Sequence, residues 1–392
     1  MIAKIVIPLL LMILVPDIYI YLNHIRAKTR LPLRLLWWLP SLSMVIYTVC
    51  MGCMRDFAPR DNAILNVYLF LLGLTVVPKL VFAMFSSAGL ALQKVFRMRR
   101  NYGMAMGVFL AAGSLYVLFY GSFIGFGKLD VRHIDYYSDT LPASFDGYRI
   151  VQFSDAHVGT YGRSRAGLLS RAVDSINARQ PDMIVFTGDL QNMHPGEIRP
   201  HIPVLNRLKA HDGVFSVLGN HDYADYIAAP QSVKEANERE TVELQTRMGW
   251  TLLRNENRAI FRGTDSIVIA GMENDGDGKH FPRKGDIGKT LAGVSDSAFV
   301  VMLEHDPTSW RNRILPHSNA ALTLSGHTHA MQFELFGWSP VAFKYSEWGG
   351  MYYENTRAIN VSTGLGGFIP FRFGVPGEIV VITLHKGTKQ LH

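Results

Sequence analysis

Five short clusters hold the residues of this chain best suited to chemistry. They are Ser154-Asp155-Ala156-His157, Gly188-Asp189-Leu190, Gly219-Asn220-His221-Asp222, Glu304-His305-Asp306 and Gly326-His327-Thr328-His329. Five of the fourteen histidines fall in them. Carboxylate, imidazole and amide oxygen together suit borderline divalent metals such as Mn, Fe, Zn or Co. No cysteine lies nearby, which argues against a structural zinc site closed with thiolates. The alternate spacing in Asp155/His157 and in His327/His329 would put both members of each pair on one side of a strand. A glycine precedes Asp189, Asn220 and His327, where the backbone can turn sharply and come close to an ion. One Asp-x-His is weak on its own. All five clusters in this order, each behind an apolar run, are specific.

Those runs are the elements that must position the clusters. Arg149–Asp155, Met183–Asp189, Val214–Gly219, Ile267–Gly271, Phe299–His305, Ala320–Gly326 and Glu378–Leu384 read as short strands. Between the first two, residues 164–179 place Leu168, Leu169, Ala172, Val173 and Ile176 on one helical face. Strands alternating with helices, each ending in a polar cluster, predict a layered α/β domain over residues 148–392, with its site at the strand ends. Residues 128–147 read as a stem leading into it. Asp225–Arg247 is helical and charge-rich, which suits a solvated face or a small cap.

A different physical object precedes the stem. The chain of 392 residues is 48% hydrophobic and only 18% charged, which excludes a disordered, fibrous or disulfide-stapled protein. Its net charge of +7 is carried entirely by residues 1–127, where 12 Lys/Arg face 3 Asp/Glu. The remaining 27 Lys/Arg and 29 Asp/Glu leave the C-terminal part slightly acidic, so no bulk attraction for nucleic acid is expected there. Apolar stretches at about 5–22, 35–54, 64–85 and 104–126 have the length of membrane-spanning helices. The first lacks a small-residue cleavage pattern and reads as retained. Arg26, Lys28, Arg30 and Arg34 follow the first span, and Lys94, Arg97, Arg99 and Arg100 follow the third. These basic loops belong inside, so the C-terminal domain is expected outside, on a multi-pass protein of the plasma (inner) membrane. Asp17 and Lys79 lie at similar depth and could pair, or Lys79 could snorkel to the interface alone. Cys50-Met-Gly-Cys53 has no partnering ligand and reads as a helix–helix contact.

The string of clusters resembles the calcineurin-like metallophosphoesterases, whose pattern is D-x-H, G-D-x-x-D, G-N-H-D/E, a lone H, then G-H-x-H. The match covers about residues 148–385. The resemblance implies a four-layer α/β/β/α sandwich carrying two divalent metal ions (Mn, Fe or Zn). One ion would be held by Asp155, His157, Asp189 and His329. The other would be held by Asp189, Asn220, His305 and His327, with Asp189 bridging. His221 would protonate the leaving group or stabilise the phosphoryl oxygens, and Asp222 would orient it. Asn192 stands where the family often has a second Asp, which touches substrate contacts or the surroundings of the ligands and not the metals themselves. Physics supports the same reading, since two adjacent cations clamp a phosphate, acidify a shared water and stabilise entering and leaving oxygens.

The substrate is less legible. Phe333–Tyr353 carries eight aromatics in 21 residues. It reads either as an insertion packed on the sandwich or as a rim facing membrane lipids. Arg163 and Arg165 are candidates for a second phosphate contact and are equally explained as helix-entry surface residues. Four spans hold the site near a bilayer and favour a phosphorylated, lipid-linked substrate. Three functions follow: a phosphoesterase facing outside, a cytoplasm-facing UDP-2,3-diacylglucosamine-type pyrophosphatase, and a non-catalytic metal-binding membrane scaffold. The His221–Asp222 pair argues against the last.

Overall fold

The computed structural model describes residues 2–54, 62–162, 165–278 and 281–388. It divides into two compact units, Met1–Ile124 and Gly125–His392.

The first unit is helical. Helices α1 (Ile2–Ile20), α2 (Leu31–Gly52), α3 (Asn62–Thr75), α4 (Val77–Val95) and α5 (Tyr102–Phe123) supply four candidate membrane spans. α1 runs on through a wide turn, Tyr21–Ile25. The third span, expected over 64–85, instead covers Asn62–Val95 and breaks at Val76. Pro78 explains the break, because its ring and missing N–H cannot continue a helix from the preceding turn. Asp17 and Lys79 form an ion pair at 2.7 Å, and the Lys79 ammonium also donates to Ser41 Oγ at 2.8 Å. That pairing ties α1, α2 and α4 together. Cys50 and Cys53 are exposed and free, while Gly52 makes the helix contact, since a Cβ there would fall 2.5 Å from Val6.

The second unit is a pair of stacked six-stranded sheets. Its strands are β1 (Leu129–Ser138), β2 (Arg149–Phe153), β3 (Met183–Phe186), β4 (Val214–Ser216), β5 (Thr251–Leu252), β6 (Glu256–Arg262), β7 (Asp265–Gly271), β8 (Val300–Leu303), β9 (Leu322–Ser325), β10 (Gly350–Glu354), β11 (Arg357–Val361) and β12 (Gly377–Lys386). One sheet has the order β1-β12-β2-β3-β4-β5 and the other β10-β11-β9-β8-β7-β6. Within them β2, β3, β4 and β5 run parallel, as do β7, β8, β9 and β11.

Alternation along each strand builds three cores. Ile150, Met183 and Val185 point between the sheets toward Ile269, Val301 and Leu324. Their neighbours Val151, Ile184 and Phe186 point outward, where α6 (Ala166–Ala178) covers them with Leu169, Ala172, Val173 and Ile176. The helix Gln231–Arg247 adds Leu244 to the same layer. On the far face, Val300 and Met302 meet Trp310 and Ile314. The result is the expected α/β/β/α sandwich.

The stem expected over 128–147 is not a stem. Leu129–Ser138 is an edge strand, paired parallel with β12 along its whole length, and Tyr136 Oη donates to Ala321 O at 2.7 Å. Its sequence reads polar because most of its side chains lie on exposed or half-exposed ground.

Candidate metal centre

Each cluster sits just past the end of a parallel strand: Asp155 and His157 after β2, Asp189 after β3, Asn220 after β4, His305 after β8, His327 and His329 after β9. The two Asp/His and His/His pairs do not converge by strand alternation, because they lie beyond the pleat. Instead Asp155, His157, Asp189, His327 and His329 all adopt left-handed backbone conformations, with φ between 43° and 75°. Such φ values are costly for residues with a Cβ and concentrate at functional sites, where the surrounding fold enforces them. Glycine is needed beside them for room as well as for conformation. At Gly188 φ is 95°, and a Cβ would lie 2.6 Å from the amide nitrogen of Gly219.

The donor atoms form two groups that share one residue. Asp155, His157, Asp189 and His329 make the first, and Asp189, His305 and His327 the second. His329 Nε2 lies 3.2 Å from Asp155 Oδ1 and 3.3 Å from His157 Nε2. Asp189 Oδ2 stands between the groups, 3.6 Å from His157 Nε2 and 3.2 Å from His305 Nε2. Asn220 joins the second group through its Oδ1, 2.7 Å from His327 Nδ1 and 3.2 Å from His305 Nε2. All seven predicted ligands are therefore brought together.

The electrostatics of this donor set suit cations. Burial pushes His157 down to about 3 and His327 to about 4, and holds His329 well below the ordinary histidine range. Neutral imidazole is the form that binds metal. Burial pushes Asp155 up to about 7. Burial would lower His305 too, but Asp189, and after it Asp155, hold its pKa well above the usual value. His305 Nδ1–H donates to Thr187 O at 2.6 Å, so Nε2 is the atom aimed at the carboxylates. Without a cation, a second proton on that nitrogen must supply the positive charge. A cation among Asp189 Oδ2, Asn220 Oδ1 and the ring nitrogens would supply that charge instead. The residues present fit divalent metal.

His221 lies at the edge of this cluster, half-buried, with its ring 4.8 Å from that of His157 and flanked by Tyr226 and Phe368. Its Nδ1–H donates to the carbonyl of Asn192 at 2.7 Å, so Nε2 is its other ring nitrogen. Asp222 does not have the orienting role expected of it. Its buried carboxylate accepts instead from four backbone amides: Asp189 and Gly219 through Oδ2, Leu190 and Gln191 through Oδ1. Asp222 therefore fastens the loop that presents Asp189, while the Asn192 backbone sets His221. Burial, and then Asp189, push Asp222 up to about 7, against the pull of those amides.

Other expectations shift similarly. The Asn192 side chain is buried and donates to Thr160 Oγ1 at 2.7 Å and to the Phe368 carbonyl at 3.3 Å, which makes it a loop brace. The Arg165 guanidinium lies over the Phe126 ring, 5.8 Å from its centroid, and burial lowers its pKa. Arg163 lies outside the described residues.

Sequence reasoning missed several contributors. Tyr345 places its hydroxyl 2.9 Å from His327 Nε2, and Tyr226 accepts from Asn220 Nδ2 at 2.8 Å. Arg372 is buried beside Asp155 and His329 and donates to carbonyls of Thr363, Gly364, Gly366, Val375 and Pro376. It pins the segment whose Leu365 and Gly366 amides bond the Ser154 and Asp155 carbonyls. An aromatic-rich run and an isolated arginine offer no spacing that would have singled these residues out.

A buried Asp/His cluster at the parallel strand ends of an α/β/β/α sandwich defines a metal-dependent phosphoester hydrolase. The family models and the sequence relatives agree. Residues 148–331 match the family model "Calcineurin-like phosphoesterase", and residues 3–126 match "Probable Calcineurin-like phosphoesterase, transmembrane domain". The chain is 34% identical over 257 residues to the uncharacterized metallophosphoesterase YkuE of Bacillus subtilis, covering 63% of this chain and 82% of that one. It is 32% identical over 257 residues to a zebrafish (Danio rerio) transmembrane protein with metallophosphoesterase domain, covering 63% of this chain and 55% of the relative. Among solved structures, a dimetal phosphatase from Danio rerio aligns with TM-score 0.32 and 12% identity, covering 57% of this chain and 89% of that one. The chain belongs to the calcineurin-like metallophosphoesterases and is a membrane-associated member.

Proposed function

We propose that the protein holds two divalent cations and hydrolyses a phosphate ester or anhydride carried on a lipid, with the catalytic unit outside the plasma membrane. The observation that carries the dinuclear reading is Asp189, whose one carboxylate serves both donor groups. Asp155, His157, Asp189 and His329 would hold one ion, and Asp189, Asn220, His305 and His327 the other. When bound, such a pair supplies Lewis acidity and a water of lowered pKa.

The chain's own residues supply the rest. His221 is fixed through Nδ1 by the Asn192 carbonyl and would offer Nε2 to a substrate at the edge of the cluster. There, when the ring carries a proton on Nε2 as well as on Nδ1, it donates a hydrogen bond to a phosphoryl oxygen. The Nε2 proton passes to the leaving oxygen as the P–O bond breaks, which leaves the ring neutral with Nδ1–H still on the Asn192 carbonyl. Phe368 and Tyr226 hold its ring, and Phe281 packs edge-on against His327 at 4.9 Å, so part of the mouth is walled from water. The lipid-linked part of the proposal is supported by the four spans on the same chain, and the outside location by the basic first and third loops.

The experiment is phosphate release by detergent-purified protein with Mn²⁺, beside His221→Ala. The substrates are a lipid monophosphate, a lipid diphosphate, a nucleotide-diphospho-lipid and a soluble aryl phosphodiester. Preference for one lipid supports the proposal. Turnover of the soluble ester equal to that of every lipid would overturn its lipid part, and no turnover sensitive to His221 would overturn the catalytic part.

A further inference from the structure

One surface feature is explained neither by packing nor by backbone preference. Past the ligand His329, the chain makes a tight antiparallel turn, in which the Leu335 and Trp338 backbones exchange hydrogen bonds of 2.9 and 3.1 Å. The two central residues are Phe336, with φ 52°, and Gly337, with φ 78°. Positive φ at both centres is the geometry that favours Asn-Gly or Asp-Gly, and a bulky aromatic there is strained. Yet Phe336 occupies it and is 98% exposed. Beside it Phe343 is 86% exposed and Trp338 47%, the two rings meeting edge to face at 5.5 Å. Lys344 is also exposed and holds its ammonium over the Phe281 and Tyr345 rings.

The turn is held firmly at its base. Phe333 stacks on Phe373 at 5.6 Å, Glu334 N donates to the Phe373 carbonyl at 2.8 Å, and Ser339 Oγ donates to the Ala330 carbonyl at 2.7 Å. A fixed tip that presents aromatic rings, with a cation alongside, is the composition of a protein segment seated at a membrane–water boundary. There the rings sit at headgroup depth and the lysine meets anionic lipid. The catalytic unit begins at Gly125, directly after α5 ends at Phe123, so a bilayer is always within the chain's reach.

We propose that Phe336, Trp338 and Phe343 form a bilayer-docking tip, with Lys344 contacting anionic headgroups. The tip shares its segment with His329 and, through Tyr345, touches His327. Docking therefore brings lipid headgroups to the mouth of the metal centre. The proposal rests on membrane residence and not on the identity of the substrate.

The test uses the full chain in nanodiscs containing phosphatidylglycerol. Cys50 and Cys53 are replaced by Ser, and an environment-sensitive fluorophore is attached through Phe336→Cys. A second variant, Ser295→Cys, carries the same probe on an exposed loop of the same unit. Turnover of a soluble ester checks that both are folded. The expected result is blue-shifted emission at 336, quenched by lipids with a nitroxide near the glycerol, against water-like, unquenched emission at 295. Lys344→Glu should reduce the shift at 336. Water-like emission at both positions would overturn the proposal. So would a shift at 336 seen in native membrane vesicles but absent from pure lipid discs, which would point to a protein partner. Lipid and soluble substrates turned over equally alongside a shifted probe would leave docking standing and overturn only the lipid-substrate reading.

Discussion

Replacing Asp222 by Asn separates two roles that the sequence could not distinguish. If Asp222 oriented His221, the variant would fold normally and turn over slowly. In the structure it anchors the Asp189 loop, and an amide cannot replace it. The one oxygen left in the Asp222→Asn variant could still accept two of the four backbone N–H groups, but the side-chain NH₂ would face the other two, donor against donor. A buried donor left without a partner costs about 1–3 kcal/mol, so two cost about 2–6 kcal/mol. For a unit of this size each kcal/mol lowers Tm by roughly 2–4 °C. A middle value of about 4 kcal/mol therefore corresponds to a fall of about 8–16 °C. Thermal unfolding of the full chain in detergent can be followed by tryptophan fluorescence, since Trp250 and Trp310 are buried in the catalytic unit. Metal content would be measured on the same samples and should fall, because Asp189 loses its fixed position. Melting within about 2 °C of the parent, with full metal content and lowered turnover, would refute the anchor role and restore the acid–histidine pair.

Four further outcomes are expected. His221→Ala should retain its metal and its melting temperature but lose turnover by about 10²–10⁴-fold, read from phosphate release and elemental analysis; Asp189→Ala should lose metal from both donor groups. Metal loading at pH 6 should release protons, because Asp155 is pushed up to about 7 and His305 is held high, and both must give up a proton to bind a cation. The sign follows: affinity falls as pH drops through about 7, by up to about tenfold per unit for each proton displaced, and titration calorimetry in buffers of different ionisation enthalpy that found no release would contradict it. In the membrane unit, Lys79→Met leaves Asp17 buried without its partner, a loss of about 3–5 kcal/mol; a charge-swapped double variant should recover folded yield on size exclusion.

The sequence by itself determined the chemistry and much of the frame. A buried donor set for divalent cations needs residues such as Asp, Asn and His behind apolar strands, and those types at those spacings were visible at Asp155, His157, Asp189, Asn220, His305, His327 and His329. The α6 stripe and the four long apolar stretches were legible for the same reason, since burial imposes a period or a length on local composition. Contacts between residues distant in the chain left no such trace. β1 looked like a linker because an edge strand with exposed side chains carries little apolar pattern, and only its pairing with β12 makes it a strand. Asp17 and Lys79 could be placed at similar depth, but only the helix packing made them a pair rather than two solitary charges. Asp222 followed His221 in sequence and was assigned to it. The direction of its side chain, set by the turn after β4, gave it to four backbone amides instead. Composition also revealed an aromatic segment near Phe336, while only the tertiary fold decided which rings are buried in the sandwich and which are held out in solvent.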